Sequence, residues 1–356
     1  MKDYILKNDH EKFFIYTEKY KEIIYKKKNE LMDIKCKIDT INPKKWEKAK
    51  KFLNDFEYIY TSSNKNKNIC KVSPVSRSYF KIYEIFHDII GLKMEGITSC
   101  IAEGPGGFIH CINDISNMKV YGITLISNTN KNIPFWNSLI INNNKNTLSY
   151  GKDNTGDIYN IGNANYYIYS IKNKCDIVTA DGGFDYSKNY NLQEESSYRL
   201  LFSEIYIALN VQKINGSFTI KFFDLFNYKT IQLVYILYLN YEKIHIYKPT
   251  TSRLSNSEKY IVCTGFTPYD KKITQLMEKY YNSPDKFTIQ IPQSFINNIM
   301  DFNGMFIDTQ VSTIKRIIST KENNFNNNKP TDHQIKSAIE WCQKYKLPIN
   351  EHCIYL

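Results

Sequence analysis

The chain has 356 residues, of which 42% are hydrophobic, and this content excludes a globally disordered protein. The net charge of +11 favours a polyanionic partner, and we expect nucleic acid rather than a membrane surface. Eight cysteines without a CxxC pair or zinc-ligand spacing predict no metal site, no disulfides and a reducing compartment. A charged start and the lack of a long apolar run predict a soluble, intracellular protein.

The predicted elements begin with charged helical segments over residues 1–55, followed by a polar loop over 61–68. From residue 76 onward the pattern alternates between helix and strand. In chain order we predict a helix over 76–90, strands over 97–102 and 120–127, an irregular Asn-rich insertion over 128–165, a strand over 176–180, a helix over 192–214 that ends at Asn215-Gly216, a strand over 217–223, a helix over 228–241, and strands over 243–247 and 259–265. This alternation indicates the α/β class, with a mostly parallel sheet and helices on both faces.

A glycine-rich turn, residues 103–108, directly follows the first of these strands and precedes a helix. Glycines let a ligand approach the backbone closely, and the helix offers free N–H groups and a positive dipole end. The turn is not a Walker loop, because no Gly-Lys-Ser/Thr follows it. Taken alone, it predicts either a nucleotide or dinucleotide site or a structural bend.

Three charged residues lie beside apolar strand patterns, namely Asp181, Lys221 and Glu258, and a fourth, Lys81, lies on an amphipathic helix. An open α/β sheet places its reactive groups at the strand ends, so these patterns predict a cluster. Each residue also has a structural interpretation: Lys81 as a solvated lysine, Asp181 as a turn former and Glu258 as an edge charge. Lys221 resists such an interpretation, because a charge in an otherwise apolar strand is rare unless it is paired.

Together these motifs resemble, over residues 70–266, the FtsJ-like family of RNA 2′-O-ribose methyltransferases, most closely the branch that acts on the mRNA cap. The resemblance implies a Rossmann-like methyltransferase fold that uses S-adenosylmethionine (SAM), with an antiparallel last strand. We expect this domain over residues 61–270, between helical extensions over 1–60 and 271–356.

The resemblance also implies where SAM binds. In the cap branch the turn reads Gly-Pro-Gly-Gly-Phe, and a Gly-Asp-Ile segment, matched here by residues 156–158, holds the adenine. The residues expected at the cofactor are Glu103, Gly104, Pro105, Gly106, Gly107, Phe108, Asp157, Ile158 and Asp181. The strand over 120–127 lacks the terminal acid that many Rossmann enzymes use on the ribose, which argues against an NAD enzyme.

The family's Lys-Asp-Lys-Glu set corresponds to Lys81, Asp181, Lys221 and Glu258. By this resemblance Lys221 is the base that accepts the proton of the ribose 2′-hydroxyl. Burial, Lys81 and the cofactor's sulfonium are expected to lower the pKa of Lys221. Asp181 and Glu258 are expected to orient the two lysines and to keep the cluster near neutrality.

Further matches to the cap branch imply a capped mRNA substrate. The residues expected to contact the RNA are Arg77, Asn191, Leu192, Gln193, Ser252, Arg253 and Asn256. Leu254 replaces the usual proline of this loop. The implied activity is methylation of the first transcribed nucleotide, to form cap 1. The alternatives are a ribosomal or transfer RNA 2′-O-methyltransferase and a catalytically silent RNA-binding module.

Overall fold

The computed structural model describes residues 3–5, 18–127, 130, 133–184, 190–268, 271–320 and 329–356. The predicted boundary at residue 270 and the start of the predicted insertion at Asn128 lie outside these ranges. The division of the chain at residues 60 and 270 stays a prediction.

A single mixed sheet organises the described part of the chain. Its strands are β1 (Asp3–Ile5), β2 (Ile97–Ile101), β3 (Lys119–Ile123), β4 (Asn146–Ser149), β5 (Cys175–Ala180), β6 (Gln212–Phe222), β7 (Tyr241–Tyr247) and β8 (Lys259–Phe266). They lie in the order β1-β7-β8-β6-β5-β2-β3-β4. Strands β4, β3, β2, β5 and β6 are parallel neighbours, whereas β8 runs antiparallel to both β6 and β7. This topology confirms the predicted Rossmann-like fold with an antiparallel last strand.

Helices cover both faces of the sheet. They are α1 (Glu18–Ile38), α2 (Pro43–Phe52), α3 (Ser78–Ile85), α4 (Gly107–Ile115), α5 (Ser138–Ile141), α6 (Ile161–Ser170), α7 (Gln193–Val211), α8 (Tyr228–Asn240), α9 (Lys271–Lys279), α10 (Gln293–Ser319) and α11 (Asp332–Lys344). Successive strand residues point to opposite faces. In β5, Val178 joins the core formed with α7 and α8, and Ile177 joins the core formed with α3, α4 and α11.

Some element predictions were wrong where sheet pairing overrides local pattern. The segment predicted as an irregular insertion contains β4, which pairs with β3 at the sheet edge, and also α5 and the start of α6. Helix α7 ends at Val211 rather than at residue 214, and Asn215 lies within β6 with a positive φ of 61°. At the start of β6 the side-chain amide of Gln212 donates to the backbone carbonyl of Cys175 in the neighbouring strand β5, at 2.9 Å. Residues 3–5 form β1, which pairs with β7, where a helical segment was predicted.

The helices before and after the sheet pack against one another. Leu31 of α1 and Trp46 of α2 share a buried cluster with Ile307 and Ile314 of α10. At the other face, Trp341 of α11 packs edge-on against Phe80 of α3, with ring centroids 5.6 Å apart. Because these contacts bury apolar surface, the terminal helices stabilise the sheet domain.

We expect Ile314→Ala to lower the free energy of unfolding by about 2–5 kcal/mol, because it leaves a cavity between α10 and the N-terminal helices. Ile314 is fully buried, at 0% exposure. The matched control on the same helix is Met305→Ala, which should cost less than about 0.5 kcal/mol because Met305 is 42% exposed. Urea unfolding followed by tryptophan fluorescence measures both. Equal costs would mean that this cluster does not stabilise the fold.

Candidate active site

The candidate site lies at the carboxyl ends of the three central parallel strands. In the ladder Ala180 of β5 pairs with Ile101 of β2 on one side and with Ile220 of β6 on the other. The residues that follow these three positions are therefore level with one another. They are the glycine turn after β2, Asp181 after β5, and Lys221 at the end of β6, so the register of the sheet brings these sequence-distant groups together.

Lys221 and Asp181 form the first ion pair. The Lys221 ammonium donates to the backbone carbonyl of Asp181 at 2.8 Å and lies 3.3 Å from its Oδ1. Tyr260 of β8 is the partner of Lys221 in the antiparallel ladder, and its hydroxyl donates to Asp181 Oδ1 at 2.8 Å. The carboxylate of Asp181 is thus held from two strands at once.

Lys81 and Glu258 form the second ion pair. Lys81 on α3 donates to Glu258 Oε2 at 2.9 Å and lies 2.8 Å from Oε1. The hydroxyl of Ser252 donates to Glu258 Oε1 at 2.7 Å. Lys248 Nζ donates to the backbone carbonyl of Glu258 at 2.6 Å, so the residue is fixed through both its side chain and its backbone.

The charges of the two pairs act on each other. Burial raises the pKa of Glu258, but the ammonium groups of Lys81, Lys221 and Lys248 outweigh burial and lower it to about 2. Glu258 therefore stays ionised at any pH near neutrality.

The prediction that the pKa of Lys221 is lowered is wrong when only the protein's own groups act on it. Burial does lower it, but the carboxylates of Asp181, Glu258 and Glu204 more than compensate, and the pKa lies above its ordinary value. The Asp181 carboxylate is the largest of these opposing charges. The proximity of these carboxylates therefore outweighs burial in setting the pKa of Lys221.

The glycine turn is anchored to β3 and β5. The N–H of Gly104 donates to the Thr124 hydroxyl at 3.0 Å, and Glu103, which is 3% exposed, accepts a hydrogen bond from Thr179 of β5. The peptide between Gly104 and Pro105 is cis. A Cβ on Gly107 would meet the Ser78 and Ser76 hydroxyls at 2.0 and 2.1 Å, so glycine is needed where the turn passes α3.

The predicted adenine segment reaches the same place. Gly156 has a positive φ of 64°, and a Cβ there would lie 1.9 Å from the Thr124 carbonyl, so residues 156–158 pack directly against the end of β3. Asp157 Oδ1 accepts from the N–H of Tyr159 at 2.8 Å, and Ile158 is buried. The structure thus brings Asp157 to the strand end that also holds the glycine turn.

These residues fit the cofactor that the family implies. FtsJ-like methyltransferases use SAM, which carries both a carboxylate and an adenine. A buried oxygen of Glu103, Oε2, has no hydrogen-bond partner in the described residues, and it lies in the turn where a ligand would supply one. Burial raises the pKa of Glu103 well above its ordinary value, which favours the protonated carboxyl, a group that can donate as well as accept.

Two of the predicted RNA contacts have partners within the chain. Arg253 donates two hydrogen bonds to the Glu57 carboxylate, from Nε at 3.0 Å and from Nη2 at 2.8 Å. Arg77 lies 3.2 Å from the same carboxylate and donates to the carbonyls of Tyr60, Phe56 and Thr251. Both guanidinium groups thus connect the loop over residues 248–258, which leads to Glu258, to the segment after α2. Their predicted RNA contacts stay untested.

The remaining predicted RNA residues surround the same loop. Asn191 donates to the Met32 carbonyl at 3.3 Å and lies beside α1, whereas Leu192 is 47% exposed and Gln193 is buried. Asn256 Oδ1 accepts from Lys248 at 2.6 Å, and Ser252, bonded to Glu258, is buried. The set therefore includes internal supports of the loop as well as an exposed side chain.

Several supports of the site were not predicted from the sequence. The Glu84 carboxylate on α3 accepts from the N–H groups of Thr250 and Thr251, both at 2.8 Å, and so holds the loop that precedes Glu258. Tyr260 and Lys248 were missed as partners of Asp181 and Glu258. The available signal was register: pairing β6 with β8 would have placed Tyr260 opposite Lys221.

Within the described residues, no helix is both long and apolar enough to span a membrane. Nor does any group of three or more histidine, cysteine or acidic side chains in that part of the chain form a candidate metal site.

We expect Glu57→Gln to lower the free energy of unfolding by about 3 kcal/mol, because Glu57 is 1% exposed and the change leaves two arginines without their buried partner. The control is Glu340→Gln, which removes a surface pair of 3.8 Å to Lys336 and should cost under about 0.5 kcal/mol. Chemical denaturation measures both. A Glu57→Gln variant as stable as the control would mean that the pairing of Glu57 with Arg77 and Arg253 does not stabilise the fold. The two arginines would then keep only their predicted role in RNA binding.

Comparisons with known proteins agree with this geometry. The sequence profile of the FtsJ-like methyltransferase family matches residues 74–266, more than half of the chain. A protein of Trypanosoma cruzi, named cap-specific mRNA (nucleoside-2′-O-)-methyltransferase 1, is 28% identical over 64% of this chain and 67% of its own length. The baculovirus cap-specific mRNA (nucleoside-2′-O-)-methyltransferase of Autographa californica nuclear polyhedrosis virus is 32% identical over 50% of this chain and 70% of its own.

A third relative is much longer than this chain. Cap-specific mRNA (nucleoside-2′-O-)-methyltransferase 2 of Drosophila melanogaster is 26% identical over 77% of this chain, which covers only 43% of the fly protein. On the match over residues 74–266, the chain belongs to the FtsJ-like methyltransferase family.

Proposed function

We propose that this protein transfers the methyl group of SAM to the ribose 2′-hydroxyl of the first transcribed nucleotide of capped mRNA. The observation that carries the proposal is the joining of two largely buried ion pairs, Lys81–Glu258 and Lys221–Asp181, beside the carboxyl ends of the central strands. They lie beside a glycine turn that fits SAM. The names of the three relatives support the capped substrate.

The cofactor site would be formed by the glycine turn on one side and by residues 156–158 on the other. Bound SAM supplies an electrophilic methyl group on a sulfonium. The proposed task of Asp157 is to hold the adenine amino group, and that of Glu103 and the N-terminal end of α4 is to hold the amino-acid end. Asp181, already fixed by Tyr260 and Lys221, adds a negative charge beside the sulfonium.

The proposed base is Lys221, which would take the proton of the 2′-hydroxyl as the hydroxyl oxygen bonds to the methyl carbon. The methyl–sulfur bond would break in the same step, so that the sulfonium leaves as a neutral thioether. Lys221 can take the proton only as a neutral amine, and in the chain alone the carboxylates favour the ammonium form. A bound cation near Asp181 would partly cancel that effect and lower the pKa of Lys221. Lys81, fixed by Glu258, would orient the hydroxyl.

The proposed RNA path follows the loop over residues 248–258 and the exposed Leu192. The net charge of +11 suits a polyanion, and neutralised phosphates release counterions. The predicted contacts of Arg77, Asn191, Gln193, Ser252, Arg253 and Asn256 belong to this proposal. Because several of these side chains already bond within the chain, we propose that they shape the path as well as touch the RNA.

The direct experiment incubates the protein with methyl-labelled SAM and short RNAs that differ only in the presence of a cap. Nuclease digestion then locates the label. Label on the ribose next to the cap supports the proposal, whereas label on uncapped RNA would move the assignment to a ribosomal or transfer RNA enzyme. SAM binding without transfer to either RNA would contradict the proposed activity.

We expect Lys221→Met to lower the transfer rate by about a thousandfold, because the base is lost while the length of the side chain is kept. The matched control on the same strand is Lys213→Met, which removes an exposed lysine paired with Asp176 at 3.0 Å and should leave the rate within about twofold. Single-turnover transfer to capped RNA measures both, and SAM binding checks that each variant is folded. A Lys221 variant with near-normal rate excludes this lysine as the base.

The single-turnover rate should rise with pH, by about tenfold per unit, until Lys221 is largely neutral. The direction follows because the carboxylates raise the pKa of Lys221 above its ordinary value, so the neutral amine is scarce at pH 7 and grows as pH increases. Glu258, with a pKa of about 2, contributes no change over this range. A rate that is flat between pH 6.5 and about 9 would mean that proton transfer to Lys221 does not limit the step.

A further inference from the structure

A glutamate outside the predicted set lies against the catalytic turn. Glu204 is on α7, is 1% exposed, and packs on the backbone of Gly182, the residue after Asp181. A Cβ built on Gly182 would lie only 2.3 Å from Glu204 Oε1. Leu200 Cδ2 and Ala102 Cβ lie 2.8 and 3.1 Å from the same point, so Gly182 is packed closely by Glu204 and by these two apolar side chains.

The Glu204 carboxyl is poorly satisfied for a buried group. Neither of its oxygens has a hydrogen-bond partner among the described residues. The N–H of Gly182 lowers the pKa of Glu204 but does not form a regular hydrogen bond with it. Burying a carboxyl without partners costs several kcal/mol, so Glu204 does not contribute to stability through its polar atoms, and its position points to the active site.

Glu204 is electrostatically coupled to the reactive groups. Burial raises its pKa to about 8, against the opposing charge of Lys221 and with an added contribution from Asp181. In return, Glu204 acts with Asp181 and Glu258 to raise the pKa of Lys221. Glu204 also adds to the raised pKa of Glu103 in the cofactor turn, after burial and Asp181. Glu204 thus gains its negative charge at a higher pH than an ordinary glutamate does, within the range over which the rate is expected to rise.

We propose that Glu204 is a positioning residue for methyl transfer, whose carboxyl supports the Asp181-Gly182-Gly183 turn and governs how readily Lys221 gives up its proton. This rests on the proposed function of Lys221. The shape of the carboxyl holds the turn that carries Asp181. Its ionisation adds a negative charge near Lys221, which strengthens the hold on the ammonium and limits the gain in rate at alkaline pH.

The test compares Glu204→Gln with a matched control, Glu194→Gln. Both glutamates are buried on α7, but the Glu194 carboxylate accepts from the N–H groups of Phe226 and Asn227, at 2.8 and 2.7 Å, and is not among the charges that act on Lys221. Lysine labelled at Cε gives an NMR signal for Lys221, identified by its loss in Lys221→Met. The same variants are assayed for single-turnover transfer across pH.

In Glu204→Gln the titration midpoint of Lys221 should fall by about one pH unit, and the alkaline limb of the rate profile should move with it. In Glu194→Gln both should stay at their wild-type positions. If the glutamine variant does not fold, the wild-type titration carries the test, because the Lys221 signal must respond a second time near pH 8, where Glu204 ionises.

The outcomes separate this inference from the proposed function. A Lys221 midpoint that does not move in Glu204→Gln, or a wild-type Lys221 signal with no second response, overturns the role of Glu204 even if transfer is active. A shifted midpoint in a protein that methylates no RNA supports the coupling and overturns the proposed activity instead.

Discussion

The site depends on pairing four largely buried charges, whose side chains are 11–15% exposed, at the carboxyl ends of the central strands. A lone lysine or carboxylate at this position would lose its hydration and gain no compensating interaction. Only pairing with an opposite charge makes such burial tolerable. Lys221 is held by the carbonyl and carboxylate of Asp181, and Lys81 by the carboxylate of Glu258. The positive charge of Lys221 also lowers the pKa of Glu258, so the two ion pairs are electrostatically coupled. A change of charge in one pair therefore shifts the pKa values in the other.

These coupled pairs are supported by helices that lie outside the part of the chain matched by the FtsJ-like family, residues 74–266. Lys35 of α1 donates to Asp224 at 2.6 Å and to Ser257 at 2.8 Å, next to Glu258. Gln310 of α10 donates to the same Ser257 hydroxyl at 3.1 Å. Helices α1 and α10 therefore meet at the loop that carries Glu258, and the apolar cluster between these two helices keeps those contacts in place.

Several of the fold's features were predictable from the sequence because they depend on local pattern. The alternation of strands and amphipathic helices predicted the α/β class, and the apolar setting of Lys221 marked it as a residue that must be paired. The errors lie where long-range pairing decides. The polar segment Asn146–Ser149 forms a strand because it pairs with β3, and Gln212 belongs to β6 because it pairs with Cys175 of β5.

The sequence by itself determined the family, the class of fold and the residue types that the chemistry requires, since these depend on motifs and on hydrophobic period. Only the tertiary structure decided which groups hold them. It placed Tyr260 opposite Lys221, gave both Arg77 and Arg253 the buried partner Glu57, and set Glu204 against Gly182. The physical reason is that charge pairing and pKa act through distances between strands and helices, and no spacing along the chain specifies those distances.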